Sequence, residues 1–270
     1  MRNTPPRIRD RQRRARGFAV SALVALGALA CVGRAGATGE ARLPDDASPE
    51  VAEPAEKRFK FTAGYYGYSS GGPGRDVNLR YRSGFGAVWL GNYGDPQFGE
   101  QARAGWESAY EPLPGVPLSL QPSIQVAAGH FVGGSLTAEF GAPWFALAGI
   151  GRTNLKPYFN LNFDPNDNLT IAFGHRAAGG HTLYAMLVAD NRLGTGQRNL
   201  HLVARLPVAD RQRLTLDVLH KSGEGDEGMV RAWGATLTWD SPSWFVRLAR
   251  DPKQNYSGVD ATRLSVGTRF

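Results

Sequence analysis

Cysteine is almost missing from this chain: Cys31 is the only one in 270 residues, and it lies in a stretch that reads as a removed leader. Without it, neither a disulfide framework nor a thiolate-ligated metal is possible. Signatures of catalysis are absent as well. No G-x-S-x-G or H-E-x-x-H occurs, and His130, His175, His181 and His201 fall on different runs without metal-ligand spacing. Gly194-Thr195-Gly196 does not sit between a strand and a helix, so no phosphate cradle is expected. Residues 58–270 show no long amphipathic helical period. These absences predict no cofactor and no metal, and make an enzyme the lesser reading.

The positive charge belongs to the leader. The chain carries 31 Lys+Arg against 24 Asp+Glu. Residues 1–37 hold eight Arg and one acid, Asp10, which leaves 23 of each sign beyond Ala37. A neutral mature chain gives no support to nucleic-acid binding. Seven arginines from Arg2 to Arg16, the apolar run Phe18–Val32 and an A-x-A site at Ala35-Gly36-Ala37 read as a secretory signal peptide cleaved after Ala37. That apolar run is too short to span a bilayer, which takes roughly 20 residues. Arg13-Arg14 lacks the rest of a twin-arginine motif. Cys31 follows Ala28-Leu29-Ala30, a lipobox-like stretch without the expected Leu at 28; loss with the signal and lipidation are the two alternatives. Residues 38–57, rich in Pro, Ala and acid, read as a flexible periplasmic tether.

Residues 58–270 repeat one rhythm: short alternating runs punctuated by Gly, Pro, Asn and Asp, the mark of an all-β sandwich or barrel. Asp76–Arg82 sets Val77, Leu79 and Tyr81 against Asn78, Arg80 and Arg82. Pro157–Asp164, Asn199–Leu206, Arg213–Lys221 and Trp244–Asp251 alternate in the same way. The polar parity is heavily ionised and the apolar parity carries large residues, as a membrane-spanning barrel requires and a soluble sandwich does not. The final stretch, Thr262–Phe270, places Leu264, Val266, Thr268 and Phe270 on one face, with the aromatic as the last residue.

This ending resembles the closing strand of bacterial outer-membrane β-barrel proteins, at the level of the superfamily. The resemblance implies an antiparallel up-and-down transmembrane barrel, contact with outer-membrane lipids, and recognition of the strand ending in Phe270 by the barrel-assembly machinery. Connections counted back from Phe270 alternate long and short: 253–261, 240–243, 222–229, 209–212, 190–198 and 177–180. With both chain ends periplasmic, the long ones fall outside. Trp239, Trp244, Phe59, Phe61 and Phe270 then share the level of an aromatic girdle. Strands of roughly 9–11 residues make twelve the expected number, in a range of ten to fourteen, with 84–151 the unsettled part.

The residues predicted to line the lumen are Arg80, Arg82, Arg103, Glu107, Glu139, Asn160, Asn162, Asp164, Arg205, Asp217, Lys221, Arg247 and Arg263. Their basic excess favours anions if the lumen is open; a salt-bridged plug is the alternative. Function is therefore expected to be passive passage of small solutes or a structural or surface role. The alternative is a lipid hydrolase using His220 and Ser222, two apart on one outward strand face, similar to outer-membrane phospholipase A. Its Asn-His-Asp-Ser pattern is not met by Leu219-His220-Lys221-Ser222. Asp164-Pro165-Asn166-Asp167-Asn168 matches the opening of a calcium loop, but Leu169 and His175 stand where Gly and Glu belong, so a turn is the better reading.

Overall fold

Alternation in the sequence becomes alternation across a sheet. The computed structural model describes residues 57–161 and 164–270. The runs read above lie on β2 (Gly74–Ser83), β10 (Arg198–Ala209), β11 (Gln212–Gly225), β13 (Trp244–Asp251) and β14 (Ala261–Arg269). The other strands are β1 (Phe59–Tyr68), β3 (Gly86–Asp95), β4 (Gly99–Glu107), β5 (Leu118–Ala127), β6 (Phe131–Phe140) and β7 (Trp144–Thr153). They are completed by β8 (Asn168–Arg176), β9 (Thr182–Asp190) and β12 (Gly228–Asp240). Each pairs antiparallel with its neighbours in sequence, and β14 returns to β1 to close the barrel. The seam runs from Lys60↔Arg269 to Tyr68↔Ala261, and Phe59 and Phe270 exchange backbone hydrogen bonds of 2.9 and 3.0 Å. Closure leaves no unpaired edge, which is what a sheet in hydrocarbon must achieve.

Fourteen strands among the described residues replace the twelve expected. Stretch 84–151 contains β3 to β6 and most of β7, because its glycines are accommodations rather than interruptions. Gly105 lies under the Trp89 indole, where a Cβ would sit 2.4 Å from Cζ2. Two other expectations are corrected. The described residues of Pro157–Asp164, 157–161 and 164, form no strand but belong to the connection between β7 and β8. Stretch 222–229 is not a long loop, since β11 and β12 stay paired out to Gly225↔Gly228.

The two faces are inverted relative to a water-soluble protein. Leu90, Ile171, Leu183 and Leu248 point outward and are 66, 58, 65 and 53 % exposed. Lys221, Asp240 and Arg269 point inward and are at most 3 % exposed. An apolar belt of this extent cannot remain in water; a lipid surround removes the cost. One end, here the base, holds both ends of the barrel and the connections 84–85, 108–117, 141–143, 177–181, 210–211 and 241–243. Phe59 stacks on Phe270 there at 5.7 Å, and Trp239 lies 5.7 Å from Trp244. The opposite end, the rim, carries the connections 154–167 and 252–260. The leader, its cleavage site and the tether to residue 56 lie outside the described residues.

Candidate functional site

The described residues of the connection between β7 and β8, 154–161 and 164–167, fold into the lumen instead of standing above the rim. Tyr158 stacks on Phe131 at 4.1 Å, and Phe159 stacks on Tyr93 at 4.2 Å. Leu161 packs with Tyr66, Tyr93 and Ala261, while its carbonyl accepts a 3.0 Å hydrogen bond from Arg263. Asn160 donates to the Asp164 carbonyl at 2.7 Å and to Asn166 Oδ1 at 2.9 Å, tying the two described parts of the connection together. Asp164 itself reaches the far wall. Its Oδ1 accepts from Asn199 and lies 3.3 Å from His201 Nε2, and the other ring nitrogen of His201 is 3.0 Å from Asp217. The segment therefore crosses the lumen and is fastened at three walls: β6, β1 with β3 and β14, and β10.

A second rim connection joins this network. The 3₁₀ turn Gln254–Tyr256 in 252–260 buries Tyr256, whose hydroxyl donates 2.7 Å to Asn199 Oδ1. Burial and the nearby Asp164 charge push that hydroxyl well above its ordinary pKa, so it stays a donor.

The β9–β14 side of the lumen is filled but for one small cavity. Lys221 pairs with Asp251 at 2.5 Å and Arg269 with Asp240 at 2.8 Å. Arg247 Nε donates to Thr238 at 3.3 Å, and Arg205 donates to the Tyr184 hydroxyl at 3.1 Å. Paired in this way, charges are tolerable in a dry interior. The β2–β8 side is open. A cavity of about 820 Å³ extends from Ser83, Gly86 and Ser108 at the base to Arg152 and Thr153 at the rim. Its wall carries Arg80, Arg82, Arg103, Arg152, Arg247 and Arg263 against Asp76, Glu107 and Asp164.

Among solved structures, the chain is similar to the outer-membrane protein Omp33 of Acinetobacter baumannii, at 11 % identity and a TM-score of 0.51. The match covers 79 % of this chain and 98 % of that one. The fold is that of the bacterial outer-membrane β-barrels. The NanC porin (7 % identity, 78 % of this chain, 98 % of that one, TM-score 0.44) and the KdgM porin (10 %, 78 %, 99 %, 0.36) are weaker likenesses. No protein-family model and no curated protein sequence matches the chain.

Within this outer-membrane barrel fold the predicted residues are distributed unevenly. Arg80, Arg82, Arg103, Glu107, Asn160, Asp164, Arg247 and Arg263 stand on the wall of the large cavity. Arg80 is paired with Glu107. Asp217 borders a smaller cavity of about 90 Å³ beside His201. Lys221 is sealed against Asp251, Glu139 pairs with Arg176 at 2.8 Å, and Arg205 is engaged by Tyr184. Asn162 lies outside the described residues. Asn199, Asp240, Asp251 and Tyr256, all structurally central, were not singled out from sequence, although three of them occupy the inward parity of their strands.

The hydrolase alternative gains no support. The His220 ring lies 4.6 Å from the Trp233 ring on the outer face, and among the described residues no hydrogen bond joins it to Ser222. Nor is the calcium-like stretch a site: the Asp167 carboxylate is taken by Thr153 and Arg192.

Proposed function

We propose that this protein is an integral outer-membrane channel for small solutes, with a passage along the β2–β8 side of the lumen narrowed by residues 154–167. One observation carries the reading: the large cavity has wall residues at both ends of the barrel. The apolar belt and the barrel fold support an outer-membrane location with lipid around the strands. A signal cleaved after Ala37 provides export, and the strand ending in Phe270 provides the mark for the assembly machinery. On this reading the base, which holds both ends of the barrel, faces the periplasm and the inserted segment lies at the external mouth. Six arginines against three acids on the cavity wall favour anions over cations.

A closed structural barrel is the second reading, favoured by the ion pairs packing the β9–β14 side and by the two rim connections folded inward. The reversal potential of the refolded protein in a planar bilayer under a KCl gradient separates them. A potential shifted toward that of chloride supports the channel and its bias; cation preference removes the role given to the arginines. A correctly folded barrel that passes no current leaves the structural reading.

A further inference from the structure

The outward parity of the strands carries no Lys, Arg, Asp or Glu except at the rim end. Five arginines stand there, Arg75, Arg152, Arg198, Arg231 and Arg250, against two acids, Glu100 and Glu224. Three of the arginines are engaged. Arg75 lies 3.8 Å from Glu100, Arg152 donates to Asn191 at 2.6 Å, and Arg250 pairs with Asp260 at 2.7 Å. Arg198 and Arg231 are exposed, and among the described residues no acceptor takes either guanidinium.

These two arginines flank one serine. Arg198 faces Ser222 across the β10–β11 pair, and Arg231 faces it across the β11–β12 pair. Neighbouring strands lie about 4.8 Å apart, so the two arms start about 10 Å from each other with a hydroxyl between them. One outward row nearer the base, the same strands carry Leu200, His220 and Trp233, the two rings 4.6 Å apart. The next row is Leu202, Val218 and Ala235. From the rim inward along the belt the column is cationic, then aromatic, then aliphatic. That is the order in which a membrane lipid presents its phosphate, its interfacial region, where tryptophan settles, and its acyl chains. The outward acid on these strands is Glu224, which stands one position above Ser222, opposite Met229, and pairs with neither arginine among the described residues.

We propose that Arg198, Ser222 and Arg231 bind the phosphate of one lipid of the surrounding membrane, its chains lying over Leu202, Val218 and Ala235. Each planar guanidinium offers parallel N–H donors and a positive charge, which a phosphate matches. The Ser222 hydroxyl adds a neutral donor between them. Two guanidinium groups side by side repel each other, and an anion placed between them turns that repulsion into attraction. A phosphate monoester, with its greater negative charge, is therefore preferred over a zwitterionic headgroup. Ser222 acts only as a donor, and no bond in the lipid is broken. The site rests on the lipid surround of the barrel and is independent of any passage through the lumen.

The test is native mass spectrometry of the refolded protein in detergent micelles with dioleoyl phosphatidic acid, dioleoyl phosphatidylcholine or inorganic phosphate added. The wild type is expected to retain one phosphatidic acid roughly tenfold more tightly than phosphatidylcholine. Arg198→Gln combined with Arg231→Gln is expected to abolish that preference, and Ser222→Ala to reduce it severalfold. Arg231→Gln alone, also expected to reduce it severalfold, decides the question if the double variant does not fold. Arg250→Gln removes an outward rim arginine already held by Asp260 and is expected to leave the preference unchanged. No preference in the wild type, or equal loss in Arg250→Gln, overturns the site. Inorganic phosphate held as tightly as phosphatidic acid overturns the lipid as its occupant. Retention in phosphatidylcholine vesicles is read on the same preparation. A barrel that stays in the vesicles without the preference loses the site alone, while one that does not stay loses the lipid surround with it.

Discussion

His201 fastens Asp164 across the lumen: Nε2 of the wall histidine is 3.3 Å from Oδ1 of the inserted aspartate, and Nδ1 is 3.0 Å from Asp217. Both ring nitrogens thus face carboxylates. The same Asp164 oxygen accepts from Asn199, which is itself held by Tyr256. Two rim connections and the β10 wall share one polar junction.

Asp164→Asn weakens that junction while keeping its shape. Hydrogen bonds to charged groups contribute about 1.5–3 kcal/mol each, so the population in which residues 154–167 leave the lumen rises roughly 10- to 100-fold. Hydrogen exchange of the amides at 155–161 accelerates accordingly, with exchange of β13 and β14 unchanged. Equal acceleration in all three would show global loosening instead.

The opposite fastening is aromatic. Phe159→Ala removes the ring stacked 4.2 Å from Tyr93 and near Phe98. Truncating a buried Phe costs about 3–5 kcal/mol, and this half-buried ring contributes toward the low end. The variant is expected to raise channel conductance, whereas Phe173→Ala, on the outward face, leaves conductance unchanged.

Acidity acts on the rim through Asp167. Burial alone would raise this carboxyl, but hydrogen bonds from the Thr153 hydroxyl, Arg192 and the Thr153 backbone outweigh burial and hold it below its ordinary value of 3.8. A carboxyl whose pKa is depressed by folding adds stability above the unfolded value, and loses it as pH falls through the lower folded one. Protection of 154–167 is therefore constant down to a pH of about 4 and lost below it. Asp167→Asn lacks the acid step, and its persistence there would remove Asp167 as the cause.

Lys221 and Asp251 illustrate a buried pair. Lys221→Ala leaves the Asp251 carboxylate without its 2.5 Å partner and costs about 3–5 kcal/mol. Replacing both, as Lys221→Met with Asp251→Leu, recovers most of the loss. Urea midpoints of the protein folded into lipid vesicles measure both; a single variant as stable as the double one contradicts the assignment.

Much of this was legible in the sequence, and the failures have a physical cause. The parity of β2, β10, β11, β13 and β14 could be read because lipid on one side and polar groups on the other make opposite demands on successive residues. Pro157–Asp164 gave the same signal for another reason. Inside the lumen Tyr158 turns to Phe131 and Phe159 to Tyr93, so successive side chains again meet different surroundings without any strand. Asn160 and Asp164 thus reach the cavity wall on a folded-in connection, and period-two alternation cannot distinguish the two cases. In β3 to β7 inward glycines such as Gly91 and Gly105 yield their space to Arg103 and Trp89, which blurred the pattern and lowered the expected strand number. The partnership of His201 with Asp164 joins segments distant in sequence, and only the closed barrel brings them together.

The most direct test is the single-channel conductance of refolded residues 38–270 in a planar bilayer, wild type beside Asp164→Asn. Small discrete steps in the wild type and larger ones in the variant are the result that the channel reading predicts, since on that reading the inserted segment narrows the passage. Silence from both, with the heat-dependent mobility of a folded barrel, would contradict the channel and leave a closed structural barrel.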